Sequence, residues 1–129
     1  MQQVTKMIII VCFAVCLSNA TIIHVPADTS TIQGGIHLAS EGDTVLVADG
    51  LYYENINFRG KAITVASHFL IDGDTTHIDS TIINGSKPAN PDSGSVVSFV
   101  SGEDSTSVLC GFTLSGGSGT FAQYCAAWM

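Results

Sequence analysis

A succession of short β-branched runs, separated by glycine-containing turns, occupies most of this chain after residue 43 and constrains its fold more than any other feature. The runs are Thr44 to Ala48, Tyr52 to Phe58, Ala62 to Ser67, Thr81 to Asn84, Val96 to Val100 and Ser107 to Ser115. Ile56 and Phe58 alternate with Asn55 and Asn57, and Ile63 and Val65 flank Thr64, so these strands carry one apolar and one polar face. Between the runs stand Asp49-Gly50, Arg59-Gly60-Lys61, Asp72-Gly73, Asn84-Gly85 and Ser101-Gly102, where glycine permits the positive φ of a sharp turn. Lys87 to Gly94, with two prolines and no apolar run, reads as a surface loop. An earlier strand, Thr21 to Val25, is stopped by Pro26.

One helix is expected in this region, within Asp28 to Gly42. Ser30 is placed to cap it, Gln33 stands at the capping-box position, and Ile32, Ile36 and Ala39 share a face. Gly34 and Gly35 each cost about 1 kcal/mol relative to alanine, so this helix should persist only where its apolar face docks. Faint repetition favours a solenoid over other β architectures. Gly42-Asp43-Thr44 recurs as Gly73-Asp74-Thr75, and Asp79-Ser80-Thr81 as Asp104-Ser105-Thr106. Thr81-Ile82-Ile83-Asn84-Gly85-Ser86 is echoed by Thr113-Leu114-Ser115-Gly116-Gly117-Ser118. Unequal spacing suits a coil whose loops differ from rung to rung. A β-sandwich is the alternative, because Asp49-Gly50 between two strands is also a hairpin signal.

The N-terminus reads as an export signal. Met1 to Lys6 carries one positive charge, Met7 to Leu17 is an unbroken apolar run of 11 residues, and Ser18-Asn19-Ala20 offers a cleavage site after Ala20. The run is shorter than the roughly 17 to 25 residues a spanning helix needs. Cys12 and Cys16 read as apolar filler, since Phe13-Ala14-Val15 lacks the pattern of a lipid-bearing junction. Residues 21–129 then form one domain, in which Arg59, Lys61 and Lys87 face all 11 Asp and Glu residues for a formal charge of −8. That balance argues against nucleic acid, whose phosphates are bound by clustered Lys and Arg, and against anionic membranes. Cys110 and Cys125 either close a disulfide, worth on the order of 3 kcal/mol for a loop of that size, or leave Cys110 a free thiol.

Three stretches resemble the start of secreted right-handed parallel β-helix proteins of the pectin lyase-like superfamily. They are Ile23-His24-Val25-Pro26-Ala27-Asp28 with Ser30-Thr31-Ile32-Gln33-Gly34-Gly35-Ile36, then Gly42-Asp43-Thr44-Val45-Leu46-Val47-Ala48-Asp49-Gly50, then Tyr53-Glu54-Asn55-Ile56. Lys61 to Val65 and Val108 to Leu114 are similar to later rungs. The resemblance implies an N-terminal helix that covers the open end of the solenoid. It also implies that the chain holds the N-terminal part of the domain, with Phe121 to Met129 resembling neither a rung nor a polar cap. Members of the superfamily include polysaccharide lyases and hydrolases as well as non-catalytic surface proteins, so the fold leaves activity open.

Chemistry is sparse. Asp72, Asp74 and Asp79 form the densest acidic cluster but match no calcium loop, and Asp72-Gly73-Asp74-Thr75 reads as a turn. His24, His37, His68 and His77 have no ligand spacing. Tyr52, Tyr53 and Phe69 offer faces for a sugar, with core packing as the competing role. Asn84-Gly85-Ser86 fits the N-glycosylation acceptor pattern. No residue is assigned a catalytic, cofactor-binding or metal role, and no cofactor is expected. The leading expectation is a secreted or cell-surface β-helix module, structural, adhesive or polymer-interacting, with extracellular polysaccharide or surface components as partners and no membrane span after cleavage. The alternatives are a fragment of a polysaccharide lyase or glycoside hydrolase, and a carbohydrate-binding module without turnover. Intact mass of the chain recovered from a secretory host is expected to show Thr21 as its first residue, and a retained leader would contradict the export reading.

Overall fold

The computed structural model describes residues 19–120, and these are mostly short strands in parallel sheets with little helix. Residues 1–18 of the expected export signal, and Cys125, lie outside the described residues. The elements in chain order are β1 (Ile22–Val25), α1 (Ile32–Leu38), β2 (Thr44–Val47), β3 (Gly50–Tyr53), β4 (Ile56–Asn57) and β5 (Thr64–Ser67). Then come α2 (Phe69–Asp72), α3 (Thr76–Ser80), β6 (Thr81–Asn84), β7 (Ser93–Gly94), β8 (Val97–Ser98), β9 (Val108–Cys110), β10 (Thr113–Ser115) and β11 (Gly119–Thr120).

Sheet membership rotates along the chain. The first sheet runs β1-β2-β5-β9, the second β3-β6-β10 and the third β4-β8, all parallel, while β7 and β11 form a small antiparallel pair. From β2 onward the three parallel sheets are visited in the order first, second, third, then first again. Each such passage is called a round below. The Asp49-Gly50 hairpin is therefore not formed: β2 and β3 belong to different sheets, and each finds its partners a round away.

In-register pairing stacks like on like. Ile23, Val45, Val65 and Leu109 stand side by side across the first sheet, as do Val25, Val47 and Ser67. Ile56, Phe58, Ile63 and Ile83 join the same core, and the Phe58 ring stacks on Phe99 one round later at 4.3 Å between centroids. Long runs from the sequence split where the chain changes sheet. Tyr52 to Phe58 divides at Glu54-Asn55, and Ser107 to Ser115 divides at Gly111. Only Thr81 to Ser86 and its echo among the repeats are structurally equivalent, shifted by one residue so that Ile83 pairs with Leu114. In that register Leu114 stands beside Ile83 and Thr113 beside Ile82, and a slip of one residue would turn every side chain to the other face.

Helix α1 is shorter than expected and capped differently. Thr31, not Ser30, is the N-cap, its hydroxyl accepting from Gly34 N. Gln33 closes no capping box. Its side-chain oxygen accepts from Asn57 N at 2.8 Å and its amide donates to Asn57 O at 3.0 Å, so one glutamine side chain satisfies the exposed edge of β4. Unpaired strand edges recruit other chains, and this amide occupies one. The Glu54 carboxylate accepts from Ile32 N and Gln33 N at 2.9 and 3.0 Å, supplying acceptors to the helix N-terminus. At the other end Lys61 Nζ donates to the carbonyls of Ile36, His37 and Ala39 at 2.8 to 3.0 Å. An anion at the start and a cation at the end both match the helix dipole.

The helix packs on β1, β2 and β4 with Ile32 and Ile36 fully buried. Those two side chains contribute about 3 to 6 kcal/mol of burial, against about 2 kcal/mol lost to two helical glycines, so docking wins. Gly35 is required by that docking. A Cβ there would stand 2.6 Å from Val45 Cγ1 and 3.3 Å from Val25 Cγ2. Gly35→Ala gains about 1 kcal/mol of helix propensity but overpacks the helix–sheet contact by about 1 to 3 kcal/mol, so a net loss of stability is expected on chemical denaturation.

Candidate functional site

Two places concentrate polar side chains: a groove along the third sheet, and the corner between the first and second sheets. The groove forms because the second-to-third connection changes length between rounds. Glu54-Asn55 suffices between β3 and β4, whereas residues 85–96 intervene between β6 and β8. This longer segment arches outward, and Asn55 holds both of its feet. The Asn55 Nδ2 donates to Gly85 O and Ser95 O, each at 3.0 Å. Asn90 shapes the arch, its side chain accepting from Asp92 N and its carbonyl from Ser93 N. The Lys87 to Gly94 loop is therefore present as expected, with β7 at its end.

The space beneath the arch measures about 430 Å³ and is lined by Tyr53, Asn57, Lys87, Asn90, Ser95 and Ser98 among others. Tyr53 is 49% exposed and points outward from β3, in line with Asn84 of β6. Lys87 Nζ lies 4.0 Å from the centre of its ring, within cation–π range. Tyr52 points the other way. Its hydroxyl donates to Ala48 O at 2.7 Å, and burial, with the charges of Glu54 and Asp49, holds its pKa above the ordinary phenol value. The two adjacent tyrosines thus separate by strand parity into one that packs and one that faces solvent. Phe69 is half-buried on the insertion and does not line the groove.

The groove's chemistry suits holding a ligand. Its carboxylate, Glu54, has both oxygens committed to helix N–H groups, and its cation, Lys87, sits over the tyrosine. The remaining polar groups are amides and hydroxyls, which donate and accept in pairs as sugar hydroxyls do. Glycoside hydrolysis uses two carboxylates across a cleft, one of them free to move a proton.

At the first-to-second corner, two residues connect β2 to β3 and two connect β9 to β10, but residues 68–80 intervene between β5 and β6. This insertion carries α2 and α3, which the sequence did not suggest. None of its side chains is fully buried, and Leu70 and Ile71 are exposed. It is fastened by His77. The ring's Nδ1 is 2.7 Å from Asp49 Oδ1 and its Nε2 is 3.0 Å from Asp72 Oδ2, while Thr113 Oγ1 donates to Ile78 O from the next round. Facing a carboxylate at each nitrogen, the ring is favoured as imidazolium. Its pKa is raised, first by the Asp49 hydrogen bond and then by Asp72. A histidine with both nitrogens so engaged has none free for acid–base work.

Of the acidic cluster, Asp72 and Asp74 resolve into turn chemistry, and Asp79 lies within α3. Asp72 accepts from Asp74 N, and Asp74 accepts from both Thr76 N and Thr76 Oγ1, which lowers the pKa of each carboxylate. Among the described residues no group of three or more His, Cys, Asp or Glu is placed to hold a metal. His24 is exposed, and His37 contacts Gln33 at 3.4 Å. His68 lies 5.7 Å from the His77 ring. Asn84 Oδ1 accepts from Ser86 N, making the acceptor sequence an Asx turn. Cys110 is half-buried and forms no disulfide among the described residues, which do not include Cys125. Sequence pattern did not single out Lys87, Asn57 or His77, because their partners Tyr53, Gln33 and Asp49 lie 24 or more residues away; Tyr52 and Tyr53 were visible only as aromatics that could face a sugar or pack. No family model, curated protein or solved structure matches this chain.

The clamp at His77 has a pH window. Asp72, with its pKa lowered, contributes stability above the ordinary carboxylate range and loses it as pH falls through its folded value. His77, with its pKa raised, contributes below about pH 6.5 and loses that contribution as pH rises through its folded value. Amide hydrogen exchange of residues 68–80, corrected for intrinsic rates, is expected to show protection falling about two- to fivefold across that upper limb, the range exposed ion pairs support. His77→Gln should abolish the dependence.

Proposed function

We propose that this chain is an exported module of right-handed parallel β-helix type, similar to the pectin lyase-like superfamily, which acts at the cell surface or outside the cell by holding an extracellular polymer without turning it over. Rotation of the chain through three parallel sheets supports the solenoid reading, with α1 in the place of a capping helix. The observation that carries the functional reading is the groove: Tyr53, 49% exposed with Lys87 Nζ over its ring, beside the amides of Asn57 and Asn90 and several serine hydroxyls. An aromatic face with a polar rim matches the apolar face and hydroxyl edge of a sugar ring. The formal charge of −8 on residues 21–129 favours neutral polymers over polyanions, because like charges repel without bridging cations.

Isothermal titration and affinity electrophoresis against a panel of soluble neutral and acidic polysaccharides test this. Saturable binding to a neutral polymer is expected, weakened about tenfold or more by Tyr53→Ala, the scale of loss at an aromatic hot spot. Tyr52→Phe should leave binding unchanged while lowering stability. Binding insensitive to Tyr53, or polymer cleavage by the purified chain, would contradict the proposal.

A further inference from the structure

The backbone nitrogen of Thr21 lies 2.9 Å from Asp43 Oδ1. Asp43 is only 7% exposed, and its other oxygen accepts from Ser40 N at 2.9 Å. Thr21 is held from its other side, since its carbonyl accepts from Thr44 N. Thr21, the residue just before β1, is thus fixed between the side chain of Asp43 and the backbone of β2. Asn19 and Ala20 before it are exposed and make no strand.

This is also the bond at which the leader is read to end. We propose that removal of the leader after Ala20 creates a half-buried ion pair between the new α-ammonium of Thr21 and the Asp43 carboxylate, so that processing completes the N-terminal edge of the fold. The inference rests on the export reading for the position of the cut. The step is a hydrolysis by a leader peptidase: one water adds across the Ala20–Thr21 amide, the carbonyl of Ala20 leaves with the leader as a carboxylate, and Thr21 nitrogen takes up protons to become a primary ammonium. No backbone movement is needed. An amide N–H donating to Asp43 is exchanged for an ammonium N–H donating to the same oxygen, and a charged donor makes the stronger bond to a carboxylate.

The surroundings suit one added cation. Backbone donation from Ser40 and then Thr21 already keeps the Asp43 pKa low, and Lys61 adds a weaker pull in the same direction. Lys61 itself is occupied by the helix carbonyls. Glu41, on the same turn, accepts from Ala62 N, and the facing strand β5 begins with uncharged Thr64. Among the described residues Asp43 therefore has no cation in direct contact until Thr21 supplies one. An α-ammonium paired this way titrates above its ordinary value of about 7.7 to 8.0, so its contribution is complete below that range and is lost as pH rises through the raised value.

The test uses the chain beginning at Thr21 in two forms, one with a free amine and one acetylated at that nitrogen, with thermal midpoints measured from about pH 5.5 to 10. The free-amine form is expected to melt at least about 2 °C higher near neutral pH, with the gap closing at alkaline pH and absent in an Asp43→Asn background. Equal midpoints at every pH, or a gap that survives Asp43→Asn, would overturn the pairing. The alkaline limb is read on the unmutated chain, so the test stands even if Asp43→Asn does not fold. Processing is read separately from the mass of the exported chain. A first residue other than Thr21 would overturn the proposed role of processing, whatever the melting data show of the ion pair.

Discussion

The charged clamp on helix α1 is the constraint on which the rest of the described structure depends. Parallel strands leave backbone donors and acceptors unpaired at the outer edge of their first round, and an apolar interior open above it. Helix α1 meets both needs at once. Ile32 and Ile36 cover the interior, and the Gln33 amide pairs with the bare edge of β4. A helix of 7 residues with two glycines has too little propensity to form alone. It is held by Glu54 at one end and Lys61 at the other, both supplied by the first complete round beneath it. The round needs the helix to close its edge, and the helix needs the round for its two caps.

The same economy of charge runs through the molecule. Of the three cations in residues 21–129, Lys61 caps the helix and Lys87 lies over Tyr53. Carboxylates outnumber them, and many find backbone N–H groups instead: Asp43 takes Thr21 and Ser40, Glu41 takes Ala62, Glu103 takes Gly60 and Ser101. An acidic chain thereby turns its excess charge into loop structure. Each of these bonds fixes a connection between sheets, and the connections determine where the groove and the insertion can form. Where the connection is two residues long the rounds stack directly; where it lengthens, at residues 68–80 and 85–96, side chains such as His77 and Asn55 must fasten what the sheets cannot.

Much of the β architecture was legible in the sequence because it is written in near-neighbour pattern. Ile56 and Phe58 are buried while Asn55 and Asn57 are not fully so, and Ile63 and Val65 are buried around Thr64, as alternation requires. The apolar face of α1 was equally plain in Ile32, Ile36 and Ala39. Its cap was not, because Ser30 and Thr31 are both competent and the choice is made by the docked position of the helix. Gln33 fitted a local capping box, yet its partner is Asn57, 24 residues on. Helices α2 and α3 lack an apolar stripe, and the contacts from other rounds fall on His77 and Ile78 of α3, so no periodicity announces them. In the groove, Tyr53 was visible as an aromatic and Lys87 only as a charge; bringing them together requires the arch that Asn55 ties down.

Native-state hydrogen exchange on the wild-type chain and on Lys61→Met tests the central claim most directly. If the charged clamp holds the helix, the amides of Gly35 to Ala39 are protected in the wild type to a level near that of β2 and β5. In the variant they open locally, by about 1 to 2 kcal/mol, while the β2–β5 ladder keeps its protection. Unchanged protection of α1 in Lys61→Met would contradict the account, since the helix would then stand on burial alone.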